Sequence, residues 1–230
     1  MKTTLYLVRH GQSVANLEKR ALGVVDMPLS ELGRRQAEAT FEYMKDTHVD
    51  AIYSSPLSRA YNTILPHAKH RSMEIHTVDA LKEVDHGLWE GMLESDIVKR
   101  WPYTLTEMWE KNFGVATAPG GENVQNAATR IINALKEIAE RHAGQAVLVG
   151  GHGCAFRAAT ARMLGVAPER VGMEHPYPAN ASVTTVIYEN GEFVVERYSE
   201  SAHLSSLCGA RDPKNNENKA DNAFFKSANQ

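Results

Sequence analysis

Leu5-Tyr6-Leu7-Val8 is a short apolar run that ends in Arg9-His10-Gly11. A run of this length, flanked by polar residues and a glycine, reads as a buried strand over Thr4 to Val8 rather than a helix. The glycine then opens a turn directly after the histidine. A histidine delivered this way has free backbone around it for an anion and a permanent cation beside it. That arrangement suits the handling of phosphate.

Outward from this strand, short apolar runs alternate with helical patterns. Ser30 is placed to cap a helix reaching about Asp46, with Ala37, Phe41 and Met44 on one face. Ala51 to Ser54 reads as a second strand. Ser55 and Pro56 are expected to supply the N-cap and first-turn proline of the next helix, whose stripe is Leu57, Ala60, Ile64 and Ala68. Pro66 is expected to kink that helix or end it early. Met73 to Thr77 reads as a further strand. The clearest helix runs from about Glu122 to His142, with Gly144 closing it, and Ala146 to Val149 is a core strand that leads into Gly150-Gly151-His152-Gly153. A helix over Cys154 to Leu164 follows. Ser182 to Tyr188 and Glu192 to Tyr198 form a hairpin around Asn190-Gly191, a type I′ turn signal. Alternation of this kind predicts an α/β fold, a three-layer α/β/α sandwich with a mostly parallel central sheet. Ligands of such sheets bind beyond the carboxyl ends of the strands, where Arg9, His10, Arg59 and His152 all fall.

Length and charge narrow the functional classes. At 230 residues and 43% hydrophobic content, residues 1–204 suffice for one domain, with an insertion or lid at about 93–118 broken by Pro102. Residues 205–230 read as a polar tail in which only Phe224 and Phe225 offer anything to bury. A net charge of −3 gives no general attraction to nucleic acid or anionic lipid, so neither is expected as a partner. No run approaches a membrane span, and Met1 to Thr4 enters the strand without a signal-like apolar region. Cys154 and Cys208 are isolated thiols without metal-ligand spacing. A cytoplasmic protein without metal or cofactor is expected. A homodimer is a common assembly for soluble proteins, although nothing here marks an interface.

Phosphoryl transfer needs an in-line nucleophile, cationic donors for the phosphoryl oxygens and an acid for the leaving group. His10 is the candidate nucleophile, kept neutral by neighbouring arginines. Arg9 and Arg59 are candidates for gripping phosphate oxygens with their planar forks, and His152 for donating a further hydrogen bond. Glu83 is the candidate general acid and base, with Asp85, Glu90 and Glu94 as rivals. Its acid role sits uneasily beside two arginines, which favour the ionised form; a bound phosphate dianion works in the opposite sense.

Further matches appear in order along the chain. They are Leu7 to Ser13, Asn16, Leu29 to Gly33, Ser54-Ser55-Pro56-Leu57-Ser58-Arg59-Ala60, Glu83 to Gly91, Pro119 to Glu122 and Gly151-His152-Gly153. Together they resemble the histidine phosphatase superfamily, in its phosphoglycerate-mutase-like branch, over about Leu5 to Leu204. The resemblance implies that fold, a phosphohistidine at His10, proton transfer by Glu83, and a phosphate pocket of Arg9, Arg59 and His152 with Asn16 nearby. It implies no metal. Cofactor-dependent mutases follow the acid glutamate with Arg-His-Tyr-Gly and soon a lysine, and carry an Arg-Arg pair after a tryptophan. Here those places hold Val84-Asp85-His86-Gly87, Glu94 and Glu110-Lys111. The chain is therefore expected to resemble the hydrolytic members, including broad-specificity and α-ribazole phosphatases, and to act on a small phosphorylated metabolite. A mutase, and a non-catalytic phosphate- or phosphopeptide-binding module, are the alternatives.

Arg20, Leu22, Gly23 and Gly153 are candidate substrate contacts, and Lys82 is weighed equally as a solvated side chain. His67, His70, His76, His142 and His175 read as surface residues. Cys154 reads as a small buried filler, and Trp89, Trp101 and Trp109 as core or lid packing.

Overall fold

A computed structural model describes residues 1–207, so the expected tail and Cys208 lie outside the described residues. In chain order the strands are β1 (Thr3–Arg9), β2 (Ala51–Ser54), β3 (Ile75–Thr77), β4 (Ala146–Gly151), β5 (Val183–Glu189) and β6 (Glu192–Glu200). The helices are α1 (Val14–Glu18), α2 (Glu31–Met44), α3 (Ser58–Arg71), α4 (Glu94–Arg100), α5 (Val124–Arg141), α6 (Gly153–Met163) and α7 (Val171–Glu174). The six strands form one sheet in the order β3-β2-β4-β1-β5-β6. All pairings from β3 to β1 are parallel, and only β5 runs against its neighbours.

Two-residue alternation divides the core. Leu5, Leu7, Tyr53, Val147 and Val149 face Ile131, Leu135 and Ile138 of α5 and Phe156 of α6. The residues between them, Val8, Ile52 and Leu148, face Met44 of α2 and Ile64 and Ala68 of α3. With both faces covered, central strands must be apolar throughout, which is why they read as continuous runs. The β5–β6 turn holds Asn190 and Gly191 at φ of 54° and 87°, as the type I′ signal requires.

Two expectations for α3 are corrected. The N-cap position of α3 is Leu57, whose side chain makes no capping bond. Asp26 caps the helix from a distant loop, accepting from the Ser58 N–H at 2.9 Å and from its hydroxyl at 2.9 Å. Ser55 is thereby released for another partner. Pro66 lies inside α3 and neither ends it nor shortens it. Ile64 before it and Ala68 after it are buried in the same cluster, and this anchorage on both sides offsets the ~3 kcal/mol helix cost of an interior proline.

The insertion has its own core. Ile97, Leu105, Trp109 and Phe113 pack with Trp89 and with Val124, Ala127 and Ala128 of α5. Its second half, Thr104–Lys111, is a π-helix, and α4 stops ahead of Pro102. His67 and His175 are corrected as well, since both are buried. His67 packs edge-on to Phe41, and His175 Nε2 lies 2.8 Å from the Thr160 hydroxyl. Burial lowers each ring to about 4, so both are neutral interior residues. No helix among the described residues is long and apolar enough to cross a membrane.

Candidate active site

Strand register places the first two histidines together. Arg9 pairs with Gly151 across β1 and β4, and the His10 N–H continues the ladder to the Gly151 carbonyl at 2.9 Å. His10 and His152 therefore leave adjacent strands side by side, with ring centroids 5.3 Å apart. On the other side of β4, the Ser55 N–H bonds the Gly150 carbonyl, bringing the start of α3 and Arg59 to the same edge. Arg9 reaches over the start of α6, where a Cβ on Gly153 would lie 2.9 Å from its Nε. Gly153 thus makes room for Arg9.

His10 is buried, and its Nδ1 is 2.7 Å from the Gly11 carbonyl. A carbonyl only accepts, so Nδ1 carries the proton and Nε2 keeps its lone pair. Burial, followed by the charges of Arg59 and Arg9, holds the ring well below the ordinary imidazole value of 6.5. The sequence reading anticipated the arginines but not that burial outweighs them. In an NMR titration the His10 ring is expected to remain neutral through pH 6.5 and take up a proton only well below it. A midpoint at or above 6.5 would contradict this environment. His152 is also pushed well below 6.5, by burial and then Arg59.

Glu83 is buried at the amino end of α6. Its Oε1 accepts the Val84 and Ala155 N–H groups at 2.9 and 2.7 Å, and Oε2 accepts the Cys154 N–H at 2.9 Å. His152 occupies the N-cap position of this helix without capping it, so the carboxylate of Glu83 takes that place. With Oε1 doubly engaged, Oε2 is the oxygen with capacity left to carry a proton.

Glu90, a rival in the sequence, is a loop clamp. Its carboxylate accepts from the Gly23, Val24 and Val25 N–H groups and from that of His86. Arg59 holds the same loop by its carbonyls, donating to Gly23 at 2.6 Å and Val25 at 3.0 Å, with Asp26 at 3.8 Å. Gly23 is thus held by Arg59, and a Cβ there would strike the Val84 carbonyl. Leu22 is half-buried beside it. Arg20 is tied to Glu18 and to the Gly91 carbonyl. Asn16 forms a capping box with Ser13, which occupies its Oδ1 and leaves Nδ2 as its available donor. Among the described residues no cluster has the makings of a metal site.

Three supporting residues escaped the sequence reading. Asn180 donates to the His10 carbonyl at 3.0 Å, and Thr63 accepts the Gly11 N–H at 2.9 Å. Ser55 Oγ lies 2.8 Å from His152 Nε2. Nothing in the local pattern distinguishes Asn180 or Thr63 from ordinary loop and helix residues. For Ser55, the proline beside it pointed to a cap instead. Cys154 is a buried filler, its thiol pushed well up by burial.

A model of the histidine phosphatase superfamily (branch 1) matches residues 5–201. Phosphoserine phosphatase 1 of Hydrogenobacter thermophilus is 32% identical over 206 residues, covering 88% of this chain and 95% of that protein. A metal-independent phosphoserine phosphatase of Arabidopsis thaliana is 31% identical and covers 89% and 84% of the two chains. The solved structure of Bacillus stearothermophilus YhfR superposes with a TM-score of 0.83 at 29% identity, over 88% of this chain and 99% of that one. Bisphosphoglycerate-dependent phosphoglycerate mutases are also relatives, at 30 to 34% identity. The chain belongs to branch 1 of the histidine phosphatase superfamily. It is a phosphomonoester hydrolase of the phosphoglycerate-mutase-like fold, working through the phosphohistidine intermediate of that family.

Proposed function

We propose that the chain hydrolyses a small phosphorylated amino acid of the phosphoserine kind without a metal, with His10 as nucleophile and Glu83 as proton donor and acceptor. The observation that carries the site assignment is a pair of buried nitrogens, Arg59 Nε and His152 Nδ1, that have no protein partner beside His10. Buried polar groups are almost always paired, so these two orphans, beside a buried neutral imidazole, support an anionic group there.

In the first step His10 Nε2 forms a bond to phosphorus as the bond to the leaving oxygen breaks. The proton on Glu83 Oε2 passes to that oxygen, and the alcohol leaves. In the second step Glu83 takes a proton from water, the water oxygen bonds phosphorus, and the N–P bond breaks to release inorganic phosphate. Arg9, Arg59 and His152 hold the phosphoryl oxygens through both steps, with Asn16 Nδ2 as a further donor. Arg20, engaged by Glu18 and the Gly91 carbonyl, is given no part in these steps.

The substrate class is supported by the two phosphoserine phosphatases among the relatives. A cytoplasmic location is supported by Cys154, which is a free thiol. The test is kcat/KM for L-phosphoserine, 3-phosphoglycerate, α-ribazole phosphate and p-nitrophenyl phosphate, with EDTA present and absent. Phosphoserine is expected to be the best substrate at a rate unchanged by EDTA. A different ester turned over ~10-fold better, equivalent to about 1.4 kcal/mol of transition-state binding, would overturn the substrate assignment. Loss of activity in EDTA would overturn the metal-free one. Isomerisation of 3-phosphoglycerate primed with 2,3-bisphosphoglycerate, faster than phosphate release, would favour the mutase reading.

A further inference from the structure

His152 is neutral and wholly buried, so its ring carries one proton and offers one donor. Which nitrogen holds that proton decides whether the ring donates to a phosphoryl oxygen or presents a lone pair to it. The two nitrogens have different surroundings. Nε2 is 2.8 Å from Ser55 Oγ, whereas Nδ1 is buried without a partner in the wall shared with His10.

The hydroxyl of Ser55 settles the assignment by proton accounting. Ser55 is itself fully buried, and its Oγ accepts the Leu57 N–H at 3.3 Å. If His152 Nε2 carried the proton, it would donate to Ser55, and the Ser55 O–H would be left buried with no acceptor among the described residues. If Nδ1 carries it, the Ser55 O–H donates to Nε2, Leu57 donates to Ser55, and the chain of bonds closes. The one group then left over is Nδ1–H, buried without a protein partner on a ring 5.3 Å from that of His10.

We propose that Ser55 is a positioning residue that fixes His152 as the Nδ1–H tautomer and so makes it a donor to the phosphoryl group. This rests on the assignment of His152 to the phosphate pocket. Ser55 touches neither substrate nor reacting atom; it acts through His152 alone. Its loss is therefore expected to affect steps in which negative charge on the phosphoryl oxygens must be stabilised.

The direct test is two-bond ¹H–¹⁵N correlation on histidine-labelled protein, which distinguishes the two neutral tautomers of each ring. Wild-type His152, assigned with His152→Asn, is expected to show a protonated Nδ1 and an unprotonated Nε2. In Ser55→Ala this pattern should shift toward Nε2–H or a mixture, and kcat should fall about 10-fold to 100-fold, the scale of a lost oxyanion donor, with KM changing less. Ser55→Thr, which keeps the hydroxyl, should restore both the pattern and the rate. A wild-type ring protonated at Nε2 would overturn the proposal, and this result needs no variant to fold. So would a Ser55→Ala protein with an unchanged tautomer and rate. If the wild type released no phosphate from any ester, the functional reading would fall with the tautomer measurement still valid, so the two failures are separable.

Discussion

His10→Ala is expected to abolish phosphate release, lowering kcat by ~10⁴-fold or more, because a nucleophile removed from a covalent mechanism leaves only binding and electrostatics behind. The fold should survive the change. His10 contributes its main-chain bonds to Gly151 and Asn180 whatever its side chain, and the cavity left by the ring lies in a polar site instead of the apolar clusters. Phosphate or orthovanadate should still bind, since Arg9, Arg59 and His152 are untouched. Circular dichroism and a vanadate binding isotherm beside the activity assay would separate lost chemistry from lost structure. Substantial turnover by a folded His10→Ala protein would remove His10 from the reaction.

The second large effect concerns Glu83. Glu83→Gln is expected to slow turnover by ~10²-fold or more for an alkyl phosphate such as phosphoserine, whose alkoxide cannot leave without a proton. p-Nitrophenyl phosphate should lose less in the first step, because nitrophenolate leaves unaided, and its phosphoenzyme should then accumulate for want of a base to activate water. The replacement is nearly isosteric. Its carbonyl oxygen can keep the Val84 and Ala155 N–H bonds, while its amide faces the Cys154 N–H and costs stability there. Equal losses for both esters would point to disturbed packing at the start of α6. An unchanged rate would pass the role to another carboxylate, although Glu90 is already saturated by loop N–H groups.

The layered fold was legible because its signals are local and repeated. β1, β2 and β4 declare themselves as apolar runs, Ser30 caps α2 as its position suggests, and Asn190-Gly191 dictates its turn. His10 and His152 were legible for a related reason: each follows a core strand directly, and parallel pairing of β1 with β4 brings them together. What could not be read depends on partners far apart in sequence. Ser55-Pro56 is a sound helix start by local rules, yet Asp26 supplies the cap from 32 positions away. Glu90 and Glu83 are equivalent carboxylates in the sequence. That Glu90 clamps the Gly23–Val25 loop while Glu83 sits at the start of α6 depends on which backbone N–H groups the fold presents to each. Burial of His67 and His175 likewise follows from helix packing that a lone histidine does not signal.

The central claim is the covalent intermediate at His10, and it can be trapped. Enzyme mixed with ³²P-labelled phosphoserine is quenched within the first turnover, digested under alkaline conditions and mapped by mass spectrometry. The account predicts a phosphorylated peptide containing His10, stable in alkali and labile in acid. Phosphate released at full rate with no labelled peptide, or with label on a residue other than His10, would contradict it.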